Sequence, residues 1–224
     1  MNGAPVHSPP VIVLGSSSPR RRELLGQLFP TADIRIHPPE DDREEDLSPC
    51  RSRAEIEQGL LRIATAKAGM VERQWGETPF DFLLTADTAV VVPCDEHHFR
   101  VLGKPDPLQY PDDVRGWFHD YYLGRTHEVM TAIHLLTRSK RALSRLVTSR
   151  VTFASAAPAR VDWYLRTGES LGKAGGYALQ GIGGCFVEQL QGSLSNVVGL
   201  PLLETLELFE QGGWQSVPEQ TGRD

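Results

Sequence analysis

Cysteine is scarce in this chain. Cys50, Cys94 and Cys185 lie far apart and form no CxxC pair, which excludes a disulfide framework and points to a reducing compartment. Long apolar runs are missing as well. None approaches the ~20 residues that a membrane-spanning helix needs. The opening MNGAPVHSPP has neither the basic nor the apolar segment of a secretory signal, so a soluble, cytoplasmic protein is expected. Positive charge is in deficit: 23 basic against 29 acidic residues give a formal net charge of −6, which argues against a protein that coats DNA or RNA. His97, His98, His119, His127 and His134 show neither HExxH nor finger spacing, which argues against a zinc site. There is no Walker A loop, no GxGxxG and no GxSxG elbow. Hydrophobic residues at 40% and charged residues at 23% of 224 do supply a packed core, enough for one sizeable α/β domain or two small lobes sharing a sheet.

Strand and helix signals alternate along that core. Val11–Gly15 is a β-branched run that enters SSSP, where Ser18 and Pro19 can open a helix over Arg20–Phe29. The acidic, Pro-rich stretch His37–Cys50 reads as an exposed loop, and Ala54–Arg73 carries apolar residues at helical spacing. DFLLTADTAVVVP is the strongest strand signal, interrupted by Asp87; VLGKP returns as a short strand, and Pro111–Tyr122 reads as a helix. Glu128–Thr137 and Leu146–Ser155 read as a hairpin joined by Arg138–Arg145, followed by a helix at Arg160–Thr167 and a last one near Leu202–Gln211. Interleaved strands and helices with an antiparallel hairpin predict a mixed sheet. A single domain is expected over residues 11–211, with residues 1–10 and 212–224 as tails.

Four places carry residues suited to chemistry. Gly15–Arg22 leads a strand into a helix N-terminus through small residues, where exposed N–H groups and the arginine forks suit phosphate oxygens. A capped helix with solvated arginines is the plainer alternative, although the positive end of a helix dipole is an unfavourable place for three arginines if only stability mattered. Asp87 stands in an apolar strand, where a carboxylate is costly to bury unless it is hydrogen-bonded, metal-bound or facing a cleft. It could ligate a divalent cation, act as a base on water, or cap a neighbouring loop. Lys67 and Lys104 could complete a cationic pocket, or simply be surface lysines. Lys173–Pro201 is rich in glycine, which permits close approach to a ligand or serves tight turns, and Gln180 carries an amide able to match a uracil or thymine edge.

Taken in order, SSSPRRRELL, LRIATAKA, TADTAVVV, LGKP, GRTHEVMTAIHL, KAGGYALQG and SNVVGLP resemble the Maf family, the septum-formation-inhibitor-like proteins, over roughly Val11 to Phe209. The resemblance implies an α/β fold of the inosine-triphosphate-pyrophosphatase-like kind, with a long mixed sheet flanked by helices and two lobes around a cleft. It implies a homodimer that cleaves a nucleoside triphosphate between the α- and β-phosphates, with Mg²⁺, Mn²⁺ or Co²⁺ as cofactor. It places Asp87 as the catalytic acceptor and metal ligand, and Ser16, Arg21, Lys67 and Lys104 along the triphosphate. Arg20, Thr88 and Gln180 match the subgroup acting on dTTP and UTP; the subgroup acting on 7-methyl-GTP has Trp, Glu and Glu there.

Two departures accompany the match. Gly172 stands where the family usually has Asp before the Lys of its KAG motif. In the acidic loop, Glu44 is the preferred match to the family's second metal-side carboxylate, with Asp42 next. A non-catalytic nucleotide sensor acting on cell division and a phosphatase releasing orthophosphate remain the rival readings. The identity of the released product separates all three.

Overall fold

In the computed structural model, which describes residues 9–41 and 45–215, the architecture is set by one long strand. β1 (Val11–Leu14), β2 (Asp33–Ile36), β3 (Phe82–Pro93), β4 (Phe99–Leu102), β5 (Thr126–Thr137), β6 (Ala142–Phe153) and β7 (Val187–Gln191) form a mixed sheet in the order β2-β1-β3-β5-β6-β7, with β4 also paired to β3. Helices α1 (Pro19–Leu28) and α2 (Arg53–Trp75) are the crossovers that make β1 parallel to both β2 and β3. The β3–β4, β3–β5, β5–β6 and β6–β7 pairs are antiparallel. α3 (Asp112–Trp117) continues as a π-turn over Phe118–Tyr122 and, with α4 (Pro158–Leu165), packs at one end; α5 (Leu194–Val198) and α6 (Leu202–Gln211) close the chain.

Helix starts follow local chemistry. The Ser18 hydroxyl accepts from the Arg21 amide and Pro19 occupies the first turn of α1. Ser52 and Glu55 cap α2 reciprocally.

The two margins of β3 differ. Toward β5 it is paired from Phe82 to Val91. On its other margin β1 pairs with Phe82–Leu84 and β4 with Val90–Pro93, so the sheet is split beside residues 85–89. Side chains alternate along a strand, and here each face carries two separate cores. On one face Phe82, Leu84 and Ala86 pack with Leu25, Phe29 and Phe209, while Val90 and Val92 pack with Phe118, Tyr122 and Phe153. On the other, Leu83 packs with Val71 and Phe80, while Val91 and Ala89 pack with Ile56 and Leu60. Thr85, Asp87 and Thr88 stand between the cores. The polar interruption in the sequence therefore coincides with the split in the sheet, and it divides the molecule into two lobes that share β3.

Several boundaries differ from the sequence reading. β2 and β7 were not anticipated, because both are short edge strands of mixed polarity. Residues 103–105 belong to a loop after β4, and the hairpin is tighter than expected, with Arg145 inside β6. The described residues run on past Gln211, into the stretch expected as a tail. Trp214 packs its ring 4.5 Å from Phe29, and its backbone N–H reaches Phe209 O at 2.8 Å. Asp87 does not interrupt β3, since the strand continues through it. Among the described residues, no helix is long and apolar enough to cross a membrane.

Candidate active site

The split opens into a cleft of about 410 Å³. Ser16, Arg20, Arg21, Lys67, Asp87, Thr88, Lys104 and Gln180 all line it, although they come from five separate segments of the chain. Glu44 and Asp42 lie outside the described residues. Their neighbours Glu45 and Asp46 are engaged locally: Glu45 pairs with Arg62 of α2 at 2.6 Å, and Asp46 accepts from the Ser48 amide at 2.8 Å. The hydrogen bond from Arg62 holds the Glu45 carboxyl below the usual range.

Asp87 is nearly buried, and Lys67 Nζ donates to its Oδ1 at 2.6 Å. This pairing follows from the strand period. Thr85 and Asp87 face α2, where Thr85 donates to Ala64 O and Asp87 meets Lys67 almost one helical turn further on. A carboxylate placed this way has its counter-charge at hand, which is how a charge is tolerated at the edge of a core.

Thr88 faces the opposite side. Its hydroxyl shares a hydrogen bond with Thr131 at 3.0 Å and accepts from Arg21 Nη2 at 3.0 Å. Arg21 turns inward rather than into open solvent. Nε donates to Gly199 O at 2.9 Å, and Nη1 to Ala86 O at 2.8 Å and to Ser16 Oγ at 3.2 Å. Ala86 lies on the margin where no strand supplies an N–H, so the guanidinium takes the place of a strand there. Arg20 and Lys104 line the cleft, whereas Arg22 is exposed. Of the three consecutive arginines, one braces the floor and one faces the cavity.

The opposite wall comes from the Gly-rich segment. Gly175 N donates to Gly103 O at 2.9 Å, and Tyr122 donates its hydroxyl to Gly175 O at 2.7 Å. Gly175 has φ +70°, and a Cβ there would meet Val90 and the Tyr122 hydroxyl, so only glycine fits. Gly172, Lys173 and Tyr177 also line the cleft but were not read as site residues. Lys173, beside the KAG motif, was the one with a legible signal. Gln180 is exposed at the rim.

Behind Tyr177 lies His127, fully buried, with Nε2 and the Tyr177 hydroxyl 2.8 Å apart. Burial depresses His127 to about 3 and pushes the Tyr177 hydroxyl up, so both are neutral at physiological pH. Unfolded His127 regains the usual value near 6.5. Protons then favour the unfolded chain from about pH 6.5 downward, and this stabilisation, complete above 6.5, is lost as pH falls toward 3. Urea unfolding is expected to lose roughly 2–3 kcal/mol through this group between pH 7.5 and 4.5. His127→Gln, which cannot take up the charge, should show a correspondingly flatter pH dependence; equal slopes in the two proteins would count against the assignment.

The cleft thus brings together a carboxylate, cationic side chains, a helix N-terminus and an amide at the rim. That set can hold a polyanion and act on a water beside it.

Comparison with known proteins gives the chain a family. The family profile of Maf-like proteins matches residues 11–212. The dTTP/UTP pyrophosphatase of Anaeromyxobacter dehalogenans is 44% identical over 209 residues, covering 92% of this chain and 95% of its own. The dTTP/UTP pyrophosphatase of Caulobacter vibrioides is 39% identical over 208 residues, covering 92% and 97%. Among solved structures, a HAM1 protein from Coxiella burnetii superposes with a TM-score of 0.51 at 12% identity, over 90% of this chain and 99% of that one; this likeness is one of fold.

Proposed function

The chain belongs to the Maf-like protein family, and we propose that it hydrolyses dTTP and UTP between the α- and β-phosphates, giving the nucleoside monophosphate and pyrophosphate. The observation that carries this reading is the meeting of Asp87, Lys67, Lys104, Arg20 and the helix α1 N-terminus at the split of the sheet. A triphosphate seated among these cations would lie beside the one carboxylate that β3 presents. Asp87 then acts on the attacking water, while the cations and the Ser16–Ser18 loop hold the phosphate oxygens and stabilise charge in the transition state. Arg21 contributes by fixing Ser16 and Thr88.

A divalent cation fits this donor set. Among the described residues no group of three His, Cys, Asp or Glu side chains could form a protein-only cage. Mg²⁺-type ions, however, bind through one or two carboxylates together with substrate phosphates. Asp87 would hold the ion, with Glu44 as the second carboxylate proposed from the acidic loop. The ion would supply charge neutralisation that the side chains alone do not. Pyrimidine selection is assigned to Arg20, Thr88 and Gln180, whose amide offers both a donor and an acceptor to a uracil or thymine edge. A cytoplasmic homodimer belongs to the same proposal, resting on the family resemblance and the sparse cysteines.

The test is product analysis on a substrate panel. UTP and dTTP with Mg²⁺, Mn²⁺ or Co²⁺ should yield pyrophosphate, and excess EDTA should stop the reaction. Orthophosphate as the first product, a strong preference for 7-methyl-GTP, or full activity in EDTA would each overturn part of this reading.

A further inference from the structure

Gln180 lies on neither a strand nor a helix, so something else must fix the position of its amide. The backbone around it makes two successive turns, with Gly181 N donating to Ala178 O at 3.2 Å and Gly184 N to Gly181 O at 3.1 Å. The turns close over one side chain from a distant segment. Glu169, beyond the end of α4, accepts from the Ile182 amide through Oε2 at 2.7 Å and from the Gly183 amide through Oε1 at 2.9 Å. The Tyr164 hydroxyl donates to the same Oε1 at 3.3 Å. The fit is close. A Cβ on Gly181 would overlap both carboxylate oxygens, and one on Gly184 would stand 2.6 Å from Leu179 O. The backbone carbonyl of Glu169 also accepts from Lys173, which lines the cleft.

We propose that Glu169 is a positioning residue for base specificity: its carboxylate clasps the Ile182 and Gly183 amides and so sets where Gln180 meets the base. The proposal rests on the reading of Gln180 as the base contact. The chemistry requires an acceptor at both oxygens. A carboxylate has no donor to offer and takes two backbone N–H groups side by side. The amide in Glu169→Gln keeps the volume but turns an NH₂ against one of those N–H groups, so one of the two contacts becomes donor against donor and the turn must move. Base contacts are made equally in the ground and transition states, so their loss should appear in KM rather than kcat.

The experiment compares the parent protein with Glu169→Gln, Gln180→Ala and the double variant, using KM and kcat for UTP and the competitive inhibition constant of tripolyphosphate, which has no base. Glu169→Gln should raise KM for UTP about tenfold, the scale of one hydrogen bond, with kcat and tripolyphosphate inhibition unchanged. The double variant should be no worse than Gln180→Ala alone, because the two residues act through one contact. Loss of tripolyphosphate inhibition in step with UTP would mean general damage to the cleft and would overturn the clasp, as would full additivity or an unaffected KM. If Glu169→Gln does not fold, Gly181→Ala, which pushes the turn off the carboxylate from the other side, must give the same KM effect or the clasp is refuted. A parent protein that does not turn over UTP, or a Gln180→Ala variant with unchanged KM, would instead remove the reading on which the clasp rests.

Discussion

Replacing Asp87 with asparagine is expected to slow pyrophosphate release about a hundredfold or more, the scale of a lost general base, while the protein stays folded and still binds nucleotide. The substitution keeps volume and shape and removes only charge. Its Oδ1 can still accept from Lys67 Nζ, now 2.6 Å away, so the lysine keeps a hydrogen-bond partner even as it loses its counter-ion. Breaking an enclosed ion pair costs about 3–5 kcal/mol, but this one opens onto a cleft that admits water, so a smaller loss is expected and thermal unfolding should move by only a few degrees. Asp87→Ala is the sharper comparison, because there Lys67 loses this acceptor outright. Melting temperature, nucleotide affinity and turnover should be measured on one preparation. An Asp87→Asn protein that turns over near the parental rate would remove Asp87 from the mechanism, and one that merely melts early with turnover per folded molecule preserved would give it a structural role instead.

Much of this arrangement is legible in the sequence, for identifiable reasons. β1, the loop after it and α1 follow from a β-branched run meeting Ser18 and Pro19; α2 follows from apolar spacing, and β5 and β6 from two strand-like runs read as a hairpin. Asp87 drew attention because a carboxylate amid Ala, Thr and Val is out of place unless something receives it, and Lys67 does. Other features depend on pairing between distant segments. No local pattern states that β1 and β4 take opposite halves of the same margin of β3, yet that division creates the cleft. Three arginines in a row give no indication of which one points inward, since the answer depends on carbonyls of Ala86 and Gly199 far along the chain. Glu169 reads locally as a surface residue in a polar loop, and only the returning Gly-rich turn gives its carboxylate two amides to hold.

The guanidinium of Arg21 is where fold and site depend on the same atoms, and Arg21→Lys is expected to destabilise the protein by about 2–4 kcal/mol, lowering the melting temperature roughly 5–15 °C for a chain of this size. The planar fork reaches Gly199 O, Ala86 O, Ser16 Oγ and Thr88 Oγ1 at once. One ammonium cannot span acceptors spread over that fork. At least one carbonyl at the split would lose its donor, and a buried acceptor left unsatisfied costs about 1–3 kcal/mol. These four hydrogen bonds tie α1 to the loop before it, to β3 and to the corner between α5 and α6, so their loosening also lets Ser16 and Thr88 shift within the cleft. Activity should therefore fall together with stability. Arg22→Lys is the matched control, since Arg22 is exposed and should change neither. Arg20→Lys should lower activity with the melting temperature intact, because Arg20 faces the cavity. Differential scanning fluorimetry and pyrophosphate release on the three variants give the pattern directly. Should Arg21→Lys melt with the parent while Arg20→Lys melts early, the roles assigned to these neighbouring arginines would have to be exchanged.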